Sequence, residues 1–531
     1  MSEQPEPRPV SARIERLRGE LAAGSSGAVG AVGAVGTVDA TDAVARFWAE
    51  LAAGGAPIVE PVADAPDQRL VTFVWRDEAG AAGSTAASAD PADPGSPSSI
   101  APAAASSADP GSPSSAGPAS PAAPDSPASA LDPRASDPAA AAPATRNVVV
   151  FGGPALWWDL PANAFDHLAG TDVWYRTYQV RSDMRGRYVI SPNDPMTPLP
   201  REGTAEVAER EATFRADPFN PKTLVFPRVA DDPVSVERRF SVLELPDAPA
   251  QPWAAARPDA PAGALVCERF TSELLGNTRR VWVHTPAGYE RGDDCGPAGG
   301  AADGRADGAV GGAADGAACG GEERYGLAVL LDGRIWAEVL PIAPTLDNLA
   351  RAGRIPPIVT VLVDTLDFAT RERELVGNED FPRMLVDELL PWVRARWRIT
   401  DDPARALIQG QSYGGLAAAL IALRATEAFG NASLHSPSLW WSCPGAPADQ
   451  AEWMAHQHAV APASSVRFYL EVGLQEGEWM VPTARHLRDV LLAKGNQMRY
   501  REYNGGHDAN CWRGGIADAL VWLTQDWGRV R

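Results

Sequence analysis

The second half of the chain alternates between short apolar runs and longer stretches whose apolar residues recur at helical spacing. Runs of strand length occur at 279–286, 327–331, 359–363, 406–408, 467–472 and 498–503. Helical spacing is clearest where Phe381, Leu385, Leu389, Val393 and Trp397 line one face, and it recurs at 481–492 and 515–527. Strands that alternate with helices are typical of a parallel sheet covered on both faces. We therefore predict an α/β fold with a mostly parallel sheet for residues 265–531.

The first half has a different pattern, in which strand-like runs are separated by turn residues. These runs lie at 69–77, 147–151, 172–181 and 186–191. They predict a small Ig-like β-sandwich domain over residues 41–245. Residues 1–40 are predicted to be a disordered N-terminal extension, although 12–23 can form a charged helix. The proline-rich residues 246–264 are predicted to be a linker.

Two stretches interrupt these domains and contain almost no large apolar side chains. Residues 79–146 are dominated by Ala, Ser, Pro and Asp, and the octapeptide Ala-Asp-Pro-Gly-Ser-Pro-Ser-Ser occurs in them twice. Residues 291–321 are a Gly/Ala/Asp run. Neither can bury enough apolar surface to offset the entropy lost on ordering. We predict that both are disordered insertions in loops.

Charge and cysteine content narrow the functional class. The formal net charge of -21 argues against nucleic-acid binding and against association with membrane surfaces. The five cysteines form no Cys-x-x-Cys pair, and no His/Cys/Asp cluster has metal-ligand spacing, so we expect reduced thiols and no protein-held metal or other cofactor. With neither a signal-peptide pattern nor an apolar run of about 18 residues, a cytoplasmic location is expected. The oligomeric state stays open.

One segment indicates nucleophilic chemistry. Residues 407–415 read Leu-Ile-Gln-Gly-Gln-Ser-Tyr-Gly-Gly, so a buried strand breaks into Gly410-x-Ser412-x-Gly414 and a helical pattern follows at once. This strand–turn–helix context is that of the nucleophile elbow, in which a strained turn lifts the serine hydroxyl clear of the sheet. It predicts Ser412 as nucleophile and places the fold among the α/β-hydrolases.

A serine hydroxyl needs a base, and the base needs an orienting acid; in this fold they follow in the order Ser, acid, His. His507 lies in the loop between the last predicted strand and the last predicted helix, where the base belongs. Glu476 lies just past the end of the preceding strand and is the preferred acid. Glu478 and Asp508 are alternatives, although Asp508 would have difficulty turning back to its sequence neighbour.

Acyl transfer also requires backbone N–H groups that stabilise the developing oxyanion. The amide of Tyr413, directly after the nucleophile, is one candidate. The second is expected after Leu331, where Gly333 allows close backbone approach and Arg334 supplies the amide.

Several long motifs resemble the enterochelin (enterobactin) esterase family. They are Val329–Trp336, Asp364–Leu375, Gly410–Gly415 and Gly505–Gly515, with Phe73–Asp77, Leu168–Trp174 and Asp217–Pro221 in the N-terminal half. The resemblance implies a cytoplasmic enzyme that hydrolyses the ester bonds of an imported ferric catecholate siderophore, so that iron arrives with the substrate. It places Ser412 and His507 on the family's nucleophile and base, and the family also carries a Glu at the position of Glu476.

That substrate class implies local cations and aromatic surfaces, because a ferric catecholate is anionic and presents flat rings. The candidate substrate-binding residues are Arg371, Arg373, Arg513, Trp336 and Trp441, with Arg334, Trp440 and Trp512 nearby in the same motifs. The competing interpretation is that the arginines form surface ion pairs and the tryptophans belong to the core. Arg373 stands where the family often has His, which leaves the particular siderophore open.

Two other functions fit parts of the pattern. A general carboxylesterase or S-formylglutathione hydrolase-like thioesterase would cleave small acyl esters and have no use for the sandwich. A noncatalytic siderophore- or carbohydrate-binding protein would use the sandwich alone, but an intact Ser412 and His507 argue against it.

Overall fold

The computed structural model describes residues 8–26, 40–77, 144–155, 159–198, 205–229, 236–289, 324–444 and 452–528. The two predicted insertions, 79–146 and 291–321, lie outside these ranges apart from residues 144–146, and they stay predictions. The described residues of Met1–Arg76 and Thr145–Arg531 belong to one compact unit, so the N-terminal strands and the large sheet pack together.

Antiparallel strands form the N-terminal part. Its elements are α1 (Ala12–Ser26), α2 (Ala40–Gly54), β1 (Ile58–Val62), β2 (Ala65–Arg76), β3 (Val148–Gly152), α3 (Leu160–Asn163), β4 (Asp166–His167), β5 (Val173–Arg181), β6 (Arg185–Pro192), α4 (Ala205–Glu211), β7 (Thr223–Phe226) and β8 (Arg238–Glu244). In the described residues the strands pair as two four-stranded sheets, β1-β2-β5-β4 and β3-β6-β8-β7. Phe73 of one sheet and Val150 and Tyr188 of the other share a buried apolar cluster, so the sheets pack face to face.

The N-terminal helix corrects one prediction. Residues 1–40 were expected to be disordered, but α1 is helical and its Ile14 and Leu17 are buried against Phe47 and Leu51 of α2. The reason is the spacing of Ile14, Leu17 and Leu21, which gives a charged helix one apolar stripe. Residues 1–7 and 27–39 lie outside the described residues.

The C-terminal part alternates strands and helices. Its elements are β9 (Ala264–Ser272), β10 (Asn277–Thr285), β11 (Gly326–Leu331), α5 (Ala343–Arg351), β12 (Ile358–Val363), α6 (Phe368–Leu375), α7 (Asp380–Arg383), α8 (Leu390–Arg394), β13 (Ala406–Gln411), α9 (Tyr413–Arg424), β14 (Asn431–His435), α10 (Trp453–Val460), β15 (Arg467–Gly473), α11 (Gly477–Ala493), β16 (Met498–Tyr503) and α12 (Ala509–Leu523), with π-helical turns at Ile335–Val339 and Met384–Leu389. The large sheet has the order β16-β15-β14-β13-β11-β12-β10-β9 in the described residues. The pairings from β16 to β12 are parallel, whereas β10 pairs antiparallel with β9 and β12.

Apolar side chains cover both faces of the large sheet. One buried cluster joins its strands to α9 and α11, and a second joins them to α5 and α12. Because the parallel strands run the same way, the loops after β11, β13, β14, β15 and β16 gather at one edge. The candidate chemistry predicted from sequence lies in these loops.

Two local predictions differ from the structure. The apolar pattern predicted no strand at β14, because Asn431–His435 mixes polar and apolar residues although all are buried. The last helix begins at Ala509 rather than at Gly515, because the Asp508 side chain accepts a hydrogen bond from the Asn510 amide and caps it. Over the ranges that the structure describes, no helix has both the length and the apolar character required to cross a bilayer.

His458 gives the fold a testable pH dependence. Its buried ring lies against Phe468, with Nε2 3.1 Å from the Ala419 carbonyl oxygen, and burial lowers its pKa from 6.5 to about 4. The unfolded chain takes up this proton at higher pH, so the stability from the neutral ring is complete above pH 6.5 and is lost as the pH falls toward 4. Between pH 6.5 and 4 the free energy of unfolding of the wild type should therefore fall by about 3 kcal/mol more than that of His458→Gln. Urea unfolding at several pH values measures this difference.

The exposed His486, whose ring contacts Glu452, provides the matched control His486→Gln. Equal pH slopes for the wild type and His458→Gln would contradict the expectation.

Candidate active site

Ser412 occupies a strained turn between β13 and α9. Its backbone has φ 57° and ψ −124°, a conformation that L side chains rarely adopt. Glycines make the turn possible: a Cβ on Gly410 would lie 2.0 Å from the Gly414 carbonyl oxygen, and one on Gly415 would lie 2.9 Å from Pro437. The hydroxyl is thereby held at the carboxyl edge of the sheet, as the nucleophile-elbow pattern predicts.

His507 and Glu476 form a hydrogen-bonded pair beside this turn. His507 Nδ1 lies 2.8 Å from Glu476 Oε2, with the imidazole 37% exposed and the carboxylate 1% exposed. The other carboxylate oxygen, Oε1, accepts hydrogen bonds from the Gly473 amide at 2.7 Å, the Ser436 hydroxyl at 2.5 Å and the Tyr503 hydroxyl at 3.1 Å. A buried carboxylate is costly unless it is fully hydrogen-bonded, and these donors meet that need.

Three side chains that the sequence reasoning gave no such role hold this pair in place. Ser436, at positive φ just after β14, accepts a hydrogen bond from Trp512 Nε1 at 3.0 Å while it donates to Glu476. The Trp512 ring packs at 89° to the His507 ring, with centroids 4.9 Å apart. Burial, together with the nearby Glu476 carboxylate, raises the pKa of Tyr503 well above its usual value, so its hydroxyl stays a donor.

The alternative acids have other positions. The Asp508 carboxylate accepts hydrogen bonds from the Asn510 amide and from the Arg187 amide of β6, so it orders the loop and links it to that strand. Glu478 is exposed at the start of α11. Among the described residues, Glu476 is the carboxylate that contacts the His507 ring.

Ser412 and His507 border the same cavity, which has a volume of about 830 Å³. Ser412 Oγ lies 3.5 Å from Ser438 Oγ, and within the described ranges it forms no hydrogen bond with His507. Contacts between a nucleophile and its base shorten as the reacting complex forms. The cavity is lined by Gly152, Gly153, Ala155, Arg187, Ser412, Tyr413, Ser438, Trp440, Gln475, Glu476, Gly477, Glu478, Trp479, Met480, Gly506, His507 and Asp508.

The turn after β11 is fixed against the nucleophile elbow. Asp332, at φ 55°, accepts hydrogen bonds from Arg371 Nε at 2.6 Å and from Gln411 Nε2 at 2.9 Å. Gly333 packs so tightly on β12 that a Cβ would lie 2.6 Å from Leu362. The Tyr413 amide follows Ser412 at the cavity wall, whereas neither Gly333 nor Arg334 lines the cavity, and their part in an oxyanion hole stays a prediction.

The five predicted substrate-binding residues are not among those that line this cavity. The prediction is wrong for Trp336, which is 0% exposed and donates a hydrogen bond to Gln411, because the π-helical turn directs it into the core. Arg371 pairs with Asp332, and its central guanidinium carbon lies 5.5 Å from the ring centroid of Tyr413. Trp441 packs edge-on against Trp453.

The other two predicted arginines contact residues that do not line the cavity. Arg373 donates a hydrogen bond to the Thr370 hydroxyl at 3.1 Å, and Arg513 donates to Gln251 Oε1 at 2.7 Å. Arg513 lines a different cavity, of about 230 Å³, instead.

The structure brings three other large side chains to the cavity wall: Arg187, Trp440 and Trp479. Trp440 was noted from sequence beside Trp441, but Arg187 and Trp479 were missed. Arg187 lies on β6 in the N-terminal part of the chain, and its sequence context carries no catalytic motif. Trp479 follows Glu476 closely, so the turn after β15 was the available signal.

None of the cysteines in the described ranges lines this cavity. Burial raises the pKa of the Cys511 thiol well above its usual value, and Sγ lies 3.4 Å from the Arg185 carbonyl oxygen. Cys267 and Cys443 are free thiols, and Cys295 and Cys319 lie outside the described residues.

Asp508 is expected to be structural, and substitution can test this. Asp508→Ala removes the helix cap and leaves the Arg187 amide without its acceptor. We expect the free energy of unfolding to fall by about 2 kcal/mol, and by less for Asp508→Asn, which keeps one acceptor. Urea unfolding measures both changes. The exposed Asp489, paired with Arg488, provides the control Asp489→Ala. Equal free energies of unfolding for Asp508→Ala and Asp489→Ala would contradict a structural role for Asp508.

The geometry can be compared with known proteins. Residues 320–523 match the esterase family model, and residues 135–254 match the model of the N-terminal part of enterochelin esterase. The iron(III) enterobactin esterase of Escherichia coli O6:H1 is 32% identical over 377 residues, which cover 68% of this chain and 82% of that protein.

Solved structures agree with these matches. Ferric enterobactin esterase from Salmonella typhimurium has a TM-score of 0.61 at 26% identity, over 91% of this chain and 99% of that one. The enterobactin esterase of Shigella flexneri, solved in the presence of enterobactin, has a TM-score of 0.59 at 25% identity, over 91% and 98%. With the esterase α/β fold and most of a relative's length matched, the chain belongs to the enterobactin esterase family.

Proposed function

We propose that this chain is a serine esterase that hydrolyses the ester bonds of a ferric catecholate siderophore such as enterobactin, so that its iron can be released. The observation that carries the proposal is the common cavity onto which Ser412 and the His507–Glu476 pair open, in a member of this family. The named relatives are enterobactin esterases. Iron enters as part of the substrate, and the reaction needs no cofactor held by the protein.

The first half of the reaction forms an acyl-enzyme. His507 Nε2 takes the proton from Ser412 as Oγ bonds to the ester carbonyl carbon. When the tetrahedral intermediate collapses, the ester C–O bond breaks and the imidazolium gives its proton to the departing alkoxide. The buried Glu476 carboxylate accepts the Nδ1–H bond, which fixes the tautomer and stabilises the imidazolium.

The second half returns the enzyme. A water molecule gives its proton to His507 Nε2 and attacks the acyl carbon, and the bond to Ser412 breaks as Oγ recovers the proton. In both halves the carbonyl oxygen becomes negative. We assign its stabilisation to the Tyr413 amide and to an amide of the Gly333–Arg334 turn, a contribution of roughly 2.7–4 kcal/mol for each donor.

The cavity wall bears on the alternatives. Gly152 ends β3, Gly153 and Ala155 lie in the turn after it, and Arg187 lies on β6, so the N-terminal part helps to enclose the substrate space. A small-ester hydrolase or thioesterase has no need of this part, and a noncatalytic binding protein has no need of the Ser412 geometry. We further propose that the N-terminal part is an Ig-like sandwich and that the enzyme acts in the cytoplasm, as the family resemblance implies.

Replacing the nucleophile tests the reaction. We expect Ser412→Ala to fold normally and to lower trilactone hydrolysis at least about 10³-fold, because it removes the hydroxyl that the strained turn between β13 and α9 presents at the cavity. Mass spectrometry of products from ferric enterobactin, with p-nitrophenyl butyrate assayed in parallel, measures the loss. Fast cleavage of the short ester with the trilactone intact would favour the general esterase, and turnover by Ser412→Ala would place the nucleophile elsewhere.

Replacing the acid tests the assignment of Glu476. Glu476→Gln cannot compensate the imidazolium charge, so we expect kcat to fall by about 10²-fold or more at neutral pH. Asp508→Asn is the matched change one residue beyond the base and should reduce kcat much less. A larger loss in Asp508→Asn than in Glu476→Gln would reverse the assignment.

A further inference from the structure

We infer that Arg187, supplied by the N-terminal sandwich, is a specificity-determining residue that binds the anionic ferric catecholate between Trp440 and Trp479. The inference deepens the proposed function and rests on it. It assigns recognition of the substrate's negative charge to β6 of the N-terminal part rather than to the arginines in the hydrolase motifs.

The charge of the cavity wall is the first observation. Among the described residues that line the cavity, Arg187 is the one arginine or lysine, whereas Glu476, Glu478 and Asp508 contribute carboxylates. Glu476 and Asp508 are occupied by the hydrogen bonds described above. An anionic substrate needs a cation in this wall, and Arg187 is placed to supply it.

The Arg187 guanidinium is held in position before any substrate arrives. Its central carbon lies 4.3 Å from the centroid of the Phe240 ring and 4.9 Å from that of Phe226. Stacking on aromatic faces suits a planar guanidinium and lowers the entropy lost when it binds oxygen acceptors. The Arg187 amide donates a hydrogen bond to Asp508, next to His507, so the strand that carries this cation is anchored to the loop that carries the base.

Two exposed indole rings complete the site. Trp479 is 68% exposed and Trp440 is 41% exposed, although tryptophan is highly buried on average. Trp440 lies two residues after Ser438, whose hydroxyl is 3.5 Å from Ser412 Oγ, and its ring centroid is 6.3 Å from that of Tyr413. Trp479 lies in the first turn of α11, three residues after Glu476. Flat catechol rings offer these indoles surfaces for stacking.

A ferric catecholate combines the two properties that this wall recognises. Metal-bound catecholates carry negative charge on oxygen, which guanidinium N–H groups bind well, and their rings are planar. The iron-free trilactone has the same rings with protonated hydroxyls and lacks that charge. The Arg187 contribution should therefore separate the ferric from the iron-free substrate.

The decisive experiment compares kcat and KM on ferric and iron-free enterobactin for the wild type, Arg187→Gln and Arg187→Lys. We expect Arg187→Gln to lower kcat/KM for the ferric substrate about tenfold more than for the iron-free one, mainly through KM, and Arg187→Lys to recover part of the loss. Arg239→Gln is the control, because Arg239 is an exposed arginine on β8 that is paired with Glu237. An unchanged ferric-to-iron-free ratio in Arg187→Gln would overturn the inference.

Two further measurements do not depend on the folding of the Arg187 variants, and the second does not depend on turnover. In the wild type, kcat/KM for the ferric substrate should fall with added salt more steeply than for the iron-free one, and equal slopes would count against a charged contact. In Ser412→Ala, ferric enterobactin should quench tryptophan fluorescence with a Kd that Trp479→Ala weakens and Leu492→Ala, exposed on the same helix, leaves unchanged. Binding here without hydrolysis by the wild type would reject the proposed function and keep the recognition site. Hydrolysis with a Kd that Trp479→Ala leaves unchanged would reject the indole contact.

Discussion

The active centre depends on one buried carboxylate. Glu476 is almost inaccessible to water, and the hydrogen bonds that make its burial tolerable come from the ends of β14, β15 and β16 and from the histidine loop. Satisfying this charge therefore fixes the relative positions of several loops, and the imidazole is one of the groups it fixes. The strained Ser412 turn is set independently by the glycines around it.

A second group of residues shows that chemical type alone does not make a catalytic site. Ser433 Oγ lies 2.8 Å from His435 Nε2, and His435 Nδ1 lies 2.7 Å from Glu471 Oε1, which repeats the serine, imidazole and carboxylate types on adjacent strands. Ser433 and His435 are 0% exposed, and both belong to regular β14 rather than to a turn. The useful serine is the one that a tight turn carries out of the sheet to a cavity.

Much of this arrangement follows from the sequence, because strand ends in a parallel sheet meet at one edge. The predicted positions of Ser412, Glu476 and His507 required only the order of strands and the glycines around residue 412. The five predicted substrate contacts depended instead on side-chain direction, which neighbouring elements decide. Trp336 turns into the core, and Arg371 is engaged by Asp332. Arg187 could not be found from local pattern, since its place at the cavity depends on how β6 packs on the loop that carries His507. The helical spacing of Ile14, Leu17 and Leu21 on α1 is present in the sequence, but the many charged residues between them led to the prediction of disorder.

That packing has a consequence for how the molecule can be divided. Asn504 donates hydrogen bonds to Asp183 and to the Arg181 carbonyl oxygen, and Asp508 receives the Arg187 amide, so the segment bearing the imidazole is anchored to β5 and β6 as well as to its own sheet. Dividing the chain between β8 and β9 would remove the contacts that β5 and β6 make with the segment bearing His507. Chimeras between relatives should accordingly exchange the N-terminal and C-terminal parts together. A C-terminal part exchanged alone would keep its nucleophile and lose the alignment of its proton acceptor.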